Sequence, residues 1–285
     1  MSQQKVILVT GATGNVGSQV VAQLRGLDVT VRALTRDPAA TDLPEDVEVV
    51  GGDLADPSTL EAAVAGVDAV FLVWPFFSTE AAPAALDVIG RHARRVVYLS
   101  AAGVRDDGEP ESGGIQFHAE METLLRRSGL EWTFLRAGGF ATNALIWADQ
   151  IRAGDVVRWP YGAAARSLIH EADIAAVAVR ALTEDGHHGA RYHLTGPELL
   201  TQVEQVEAVG AALGRPVRWE ELSREDAREH LLGLGWPAAF ADGALDAWAA
   251  LVANPEEVTS TVEDVTGVPA RTFRQWAADR ADDFR

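Results

Sequence analysis

Residues 5–24, KVILVTGATGNVGSQVVAQL, constrain the fold more than any other stretch of the chain. KVILVT is a short apolar run rich in β-branched residues, which reads as a strand buried on both faces. SQVVAQL then carries helical periodicity, with Gly26 as its stop. Between them, Gly11, Gly14 and Gly17 punctuate the loop. Glycines there allow a tight turn and a close backbone approach, and the helix N-terminus that follows faces an anion. A glycine-rich turn without a ligand is the bland alternative, but the strand–loop–helix setting favours a dinucleotide. The expected cofactor contacts in this segment are Gly11, Thr13, Gly14, Asn15, Val16 and Gly17. No Gly-Lys-Ser/Thr closes the loop, so it is not a phosphate-transfer loop.

The pattern repeats downstream. DVTVRAL (28–34), VEVVGGD (47–53), VDAVFLVW (67–74), RRVVYLS (94–100) and EWTFLRA (131–137) read as strands, with helical stretches between most of them. Strands alternating with helices make parallel β-α units, covered on both faces. The expected fold is α/β, a Rossmann-type doubly wound parallel sheet. After about residue 140 the pattern loosens into isolated strands and several helices. The expected division is a nucleotide-binding domain over 1–153 and a smaller, mostly helical lobe over 154–285, with some elements returning to the main sheet.

The end of the second strand bears on which dinucleotide binds. A carboxylate there holds the ribose 2′-OH of NAD, whereas an arginine accommodates a 2′-phosphate. VTVRALTRDP has no carboxylate before Asp37 and offers Arg32 and Arg36, so NADP(H) is favoured over NAD(H). Arg36 is the better placed, and a plain surface arginine is the alternative. Asp53 ends the third strand and is read as meeting the adenine amino group, with Leu54 under the ring; a loop carboxylate forming a turn is the competing reading.

Composition excludes several partners. A net charge of −18 argues against nucleic acid and anionic membrane surfaces. The absence of cysteine removes disulfides, thiolate metal sites and a cysteine nucleophile. No run approaches the roughly 18 apolar residues of a membrane span, and the N-terminus reaches the glycine loop too soon for a signal peptide. The expectation is a soluble, cytoplasmic protein acting on a small apolar molecule, with a homodimer admitted.

TGATGNVG, RALTRDP, GDLADPSTL, VVYLSA and GLEWTFLRAGGFATN, together with GALGRPVRWEEL and PARTFRQWAAD, resemble the NmrA-like branch of the atypical short-chain dehydrogenases/reductases. The likeness spans nearly the whole chain. It implies a Rossmann-type lobe, a smaller C-terminal lobe and an NADP(H) site. It also implies a substrate pocket, in proteins ranging from quinone reductases and secondary-metabolite reductases to silent sensors of the nicotinamide pool. Short-chain dehydrogenases proper carry Tyr-x-x-x-Lys on the helix after the fifth strand; here those places hold His118 and Glu122. Lys5 is the only lysine, so no realignment restores the couple.

His118 titrates near neutrality and is the candidate proton donor, with a pocket-shaping or structural role as the alternative. Glu122, one turn on, is read as orienting the imidazole or bonding within the core. Ser100 falls where relatives carry a carbonyl-binding serine; a strand-end hydroxyl bonded to the backbone is its alternative. Two ligands are too few for a metal, so none is expected. Trp74 is assigned to the cofactor. Phe76, Phe117, His118, Phe140, Asn143, Trp147, Trp159 and Tyr161 are assigned to the substrate pocket, with core packing as the alternative for about half of them. The reading is an NADPH-dependent reductase passing hydride to a quinone, enone, imine or similar conjugated carbonyl. A nicotinamide sensor and a non-redox tailoring enzyme are the alternatives.

Overall fold

The computed structural model describes residues 4–106 and 115–285. Its centre is a seven-stranded parallel sheet. β1 (Lys5–Thr10) pairs with β2 (Val29–Thr35), and β2 with β3 (Glu48–Gly51). On the other side of β1 come β4 (Ala69–Leu72), β5 (Arg95–Ala101) and β6 (Glu131–Ala137). The order is β3-β2-β1-β4-β5-β6-β9, where β9 is Arg191–Leu194. The order reverses on either side of β1, and that switch point opens a crevice beyond the carboxyl ends of the strands.

The helices supply the layers. α1 (Asn15–Leu24) buries Val16, Val20, Val21 and Leu24, a stripe at helical spacing, and lies against α6 (Glu171–Thr183). α2 (Glu61–Val64), α3 (Ala82–Gly90) and α4 (Gln116–Arg127) connect successive strands. One apolar cluster, which includes Leu8, Val70, Leu72, Val96 and Phe134, fills the space beneath α3 and α4.

The chain divides into two compact units, and the dividing points are not the expected single one after residue 153. The first unit holds residues 1–138, 171–194 and 261–268; the second holds 139–170, 195–260 and 269–285. The reason lies in the edge of the sheet. β6 would be left with an unpaired side, and β9 covers it through Phe134↔Arg191 to Ala137↔Leu194. The second unit carries two small sheets: β7 (Val156–Trp159) with β11 (Arg218–Glu221), and β8 (Ala165–Arg166) with β10 (Leu200–Thr201). Its helices are α5 (Ala148–Ala153), α7 (Gln202–Ala212), α8 (Arg224–Gly233), α9 (Ala238–Ala253) and α11 (Phe273–Asp279). They close on a core of their own around Trp147, Trp159, Val209, Trp276 and Phe284. α10 (Thr261–Thr266) belongs to the first unit.

Candidate active site

A cavity of about 330 Å³ sits beyond the ends of β1 to β4. Thr10–Thr13, Leu34–Arg36, Gly52–Leu54, Val73, Pro75 and Phe76 are among its walls. Gly11 holds φ +62, a left-handed conformation that suits glycine, and Gly14 N donates to Gly11 O at 2.9 Å. A Cβ on Gly17 would lie 2.0 Å from Gly11 O, so only glycine lets α1 close on the loop. α1 has no side-chain cap and no acidic residue in its first turn. α7, α8 and α11 are instead capped by Thr201, Ser223 and Thr272. The first-turn amides of α1 are thus open to an anionic group, as a pyrophosphate requires. Gly14, Asn15, Val16 and Gly17 form this turn rather than the cavity wall.

The two arginines of the second strand have separate fates. Arg36 lines the cavity and makes no ion pair or hydrogen bond with any described residue. Arg32 is absent from the cavity lining: its Nε donates to Glu48 at 2.9 Å, and Nη1 donates to the carbonyls of Ala63 and Ala65. Glu48 is its register partner on β3, so the guanidinium is held beside the neighbouring strand. Asp53 lines the cavity with one oxygen already accepting from Ala55 N at 2.9 Å. Leu54 stands beside it, buried. Trp74 is absent from the lining: it is 5% exposed, with Nε1 donating to Ser78 O at 2.9 Å. Phe76, expected in the substrate pocket, lines this same cavity.

α4 places His118 against β5. Tyr98 Oη lies 2.7 Å from His118 Nδ1. Burial pushes the His118 pKa down to about 4. Burial and the charge of Glu122 push the Tyr98 phenol up. Tyr98 therefore keeps its proton and donates it to Nδ1, which leaves Nε2 carrying the N–H of a neutral ring. Phe117 lies against that ring, tilted by 34° with centroids 4.0 Å apart. Tyr98, which the sequence reading passed over, is the residue that orients His118.

Glu122 does not orient it. Its carboxylate is fully buried and accepts from Ser100 Oγ at 2.7 Å, Arg136 Nε at 3.0 Å and Arg136 Nη2 at 2.8 Å. Arg136 also reaches Asp106 at 2.8 Å and the Arg105 carbonyl at 3.2 Å. Ser100 is 3% exposed and its only hydroxyl proton goes to Glu122, so it has none to give a substrate carbonyl. Ser100, Glu122 and Arg136 form a buried strut tying α4 to β5 and β6. Among the described residues no group of three His, Asp or Glu side chains could hold a metal ion, and no helix is long and apolar enough to cross a membrane.

In the second unit, Asn143, Trp147 and Trp159 line a separate cavity of about 450 Å³. Phe140 and Tyr161 are not in its lining; the Tyr161 hydroxyl accepts from Arg224 Nη1 at 3.3 Å.

Comparison with known proteins gives this geometry a family. A model described as NAD(P)H-binding matches residues 11–185, from the glycine loop to the end of α6. The chain belongs to this NAD(P)H-binding family, in its NmrA-like branch. It is 38% identical to the NAD(P)H azoreductase of Xenophilus azovorans, over 98% of this chain and 99% of that one. It is 40% identical to the (4-alkanoyl-5-oxo-2,5-dihydrofuran-3-yl)methyl phosphate reductase of Streptomyces griseus, over 98% and 99%. The NADPH-dependent quinone oxidoreductase of Escherichia coli, solved in complex with NADPH, superposes with a TM-score of 0.79. It is 25% identical to this chain, and the match covers 96% of this chain and 99% of that one. As an NAD(P)H-binding protein, this chain presents at α1 and the β1–β4 cavity the residues that fit such a cofactor.

Proposed function

We propose that the protein is an NADPH-dependent reductase of flat conjugated acceptors such as quinones, enones and azo compounds. The observation that carries the reading is the unpaired Arg36 in the wall of a cavity whose helix N-terminus has no cap of its own. An arginine free to take a 2′-phosphate, with no carboxylate beside it on β2, supports NADP(H) over NAD(H). The full-length likeness to reductases supports turnover over a silent sensor. When bound, the nicotinamide supplies the hydride.

The chain's own residues then have limited work. The α1 amides and glycine loop hold the pyrophosphate, Arg36 holds the 2′-phosphate, and Asp53 with Leu54 holds the adenine. His118, neutral at pH 7, acts as a hydrogen-bond donor through Nε2 and as a wall, not as an imidazolium acid. It cannot readily draw a second proton from Tyr98, because the buried phenol resists ionisation. Hydride arrival leaves an anion on the acceptor and the balancing proton comes from solvent; the delocalised anion of a quinone tolerates that order best, which matches this arrangement.

The test is NADPH oxidation, followed at the nicotinamide absorbance band, with a panel of quinones, enones and azo dyes. Protein-dependent turnover is expected with at least one class. Gly17→Ala should abolish it by driving a Cβ into Gly11 O. Cofactor binding with no turnover on any acceptor would sink the reductase reading.

A further inference from the structure

The loop after β4 presents an aromatic ring to solvent and is held in place while doing so. Phe77 is 89% exposed, the most exposed large apolar side chain among the described residues. Hydrogen bonds fasten the loop on both sides of it. Trp74 Nε1 donates to Ser78 O at 2.9 Å, which closes residues 74–78 into a tight loop around Phe77. Thr79 Oγ1 donates to Glu120 on α4 at 2.6 Å. Pro75 fixes one backbone angle more. The exposure is therefore built into the fold rather than the fraying of a loose segment.

Phe77 also links two parts of the candidate site. Pro75 and Phe76, directly before it in the chain, line the β1–β4 cavity. Its own ring meets that of Phe117, with centroids 5.7 Å apart and planes at 87°. Phe117 in turn lies against His118. The neighbouring aromatic residues have other work. Trp74 is buried in the main apolar cluster, and Phe76 and Phe117 pack against it. Phe77 has no part in that packing, so its ring contributes little to the fold. Covering it with a ligand would remove apolar area from water, and the fixed loop spares the cost of ordering on binding.

We propose that Phe77 is the platform on which the acceptor lies, with the flat ring of a quinone stacked on its exposed face. The proposal rests on the reductase reading and adds to it the residue that sets a preference for ring size. The face of a phenyl ring is negative and its edge positive, so an electron-poor ring is the fitting partner for an open face. A quinone of several fused rings covers more of that face than a single ring does. Phe77 is absent from the lining of the nucleotide cavity, so it acts on acceptor affinity and not on cofactor affinity.

The test compares the wild type with Phe77→Ala and Phe77→Tyr, with 9,10-phenanthrenequinone and 1,4-benzoquinone as acceptors and NADPH as donor. Phe77→Ala should raise KM for the three-ring quinone about 10-fold and for the one-ring quinone by no more than about 3-fold. Its kcat should stay within a small factor of the wild type and its NADPH affinity should be unchanged. Phe77→Tyr restores a ring and should return both KM values to within about a factor of two. The side chain is exposed, so neither variant has a folding defect to confuse the result. An unchanged KM for phenanthrenequinone in Phe77→Ala would overturn the proposal. So would a wild-type dimer that Phe77→Ala splits into monomers in sedimentation equilibrium, because a second copy would then cover the ring. Calorimetric binding of phenanthrenequinone to the NADP⁺-saturated protein separates the platform from the reductase reading. A 10-fold loss of affinity in Phe77→Ala, with no turnover by the wild type, removes the reductase and leaves the platform. Turnover with equal affinities in the two proteins does the reverse.

Discussion

Replacing Glu122 decides whether the His-x-x-x-Glu pair is chemistry or architecture. The carboxylate is fully buried and takes three hydrogen bonds, two of them from Arg136. Removing one partner of a buried ion pair costs about 3–5 kcal/mol, because the other charge is left stranded. Arg136 keeps Asp106 at 2.8 Å, so Glu122→Ala belongs at the low end, near ~3 kcal/mol. Glu122→Gln preserves the shape. Its amide cannot serve all three donors: Ser100 Oγ and Arg136 Nε share one carboxylate oxygen and Arg136 Nη2 takes the other, so one Arg136 N–H loses its acceptor whichever way the amide turns, and the expected loss is about 1–2 kcal/mol. With a urea dependence of about 3 kcal/mol per molar, the alanine variant should unfold about 1 M earlier and the glutamine variant about 0.3–0.7 M earlier. Circular dichroism in urea gives the midpoints, and NADPH titration with steady-state kinetics gives the functional side. NADPH affinity should hold in both variants, since Glu122 is no part of the nucleotide cavity. The kcat of Glu122→Gln should stay within a small factor of the wild type. A glutamine variant of unchanged midpoint whose kcat falls 100-fold would refute the strut, since a purely structural carboxylate has no route to that result.

Arg36→Ala should weaken NADPH by roughly 10-fold or more and leave NADH nearly unchanged, as loss of a charge-assisted bond to a phosphate would; equal affinities in the wild type would refute the NADP(H) assignment. The pH profile tests His118. Its folded pKa of about 4 lies below the ordinary 6.5, so the unfolded chain binds the extra proton first as pH falls. The destabilisation is absent above about pH 6.5 and grows as pH drops. It is complete below pH 4, at roughly 3 kcal/mol. Over the range where the ring stays neutral, pH 5.5 to 8.5, kcat/KM should show no inflection near 6.5. An inflection there that His118→Phe abolishes would restore the acid role.

The parts of this protein that were legible in its sequence are those set by neighbours along the chain. KVILVT, the glycine loop and the stripe of α1 lie within twenty residues, and each position there answers to a local period or turn. Arg36 could be placed because it follows its strand directly. Arg32 could not, because its partner Glu48 faces it only once β2 and β3 are in register. The His118–Glu122 pair shows the same limit more sharply. Four residues apart on a helix, they share a face, and the natural expectation is that they serve each other. Tyr98 and Ser100, two apart on β5, also share a face. When α4 meets the sheet, each helix residue takes a strand partner: Tyr98 for His118, Ser100 for Glu122. Arg136, the register partner of Ser100 on β6, then completes the strut. A signal was available in the polar residues Tyr98, Ser100 and Arg136 near the carboxyl ends of two buried strands, since buried polar side chains need partners. Their mates lie 14 to 22 residues away in sequence, and only the packing of a helix on two adjacent strands brings them together.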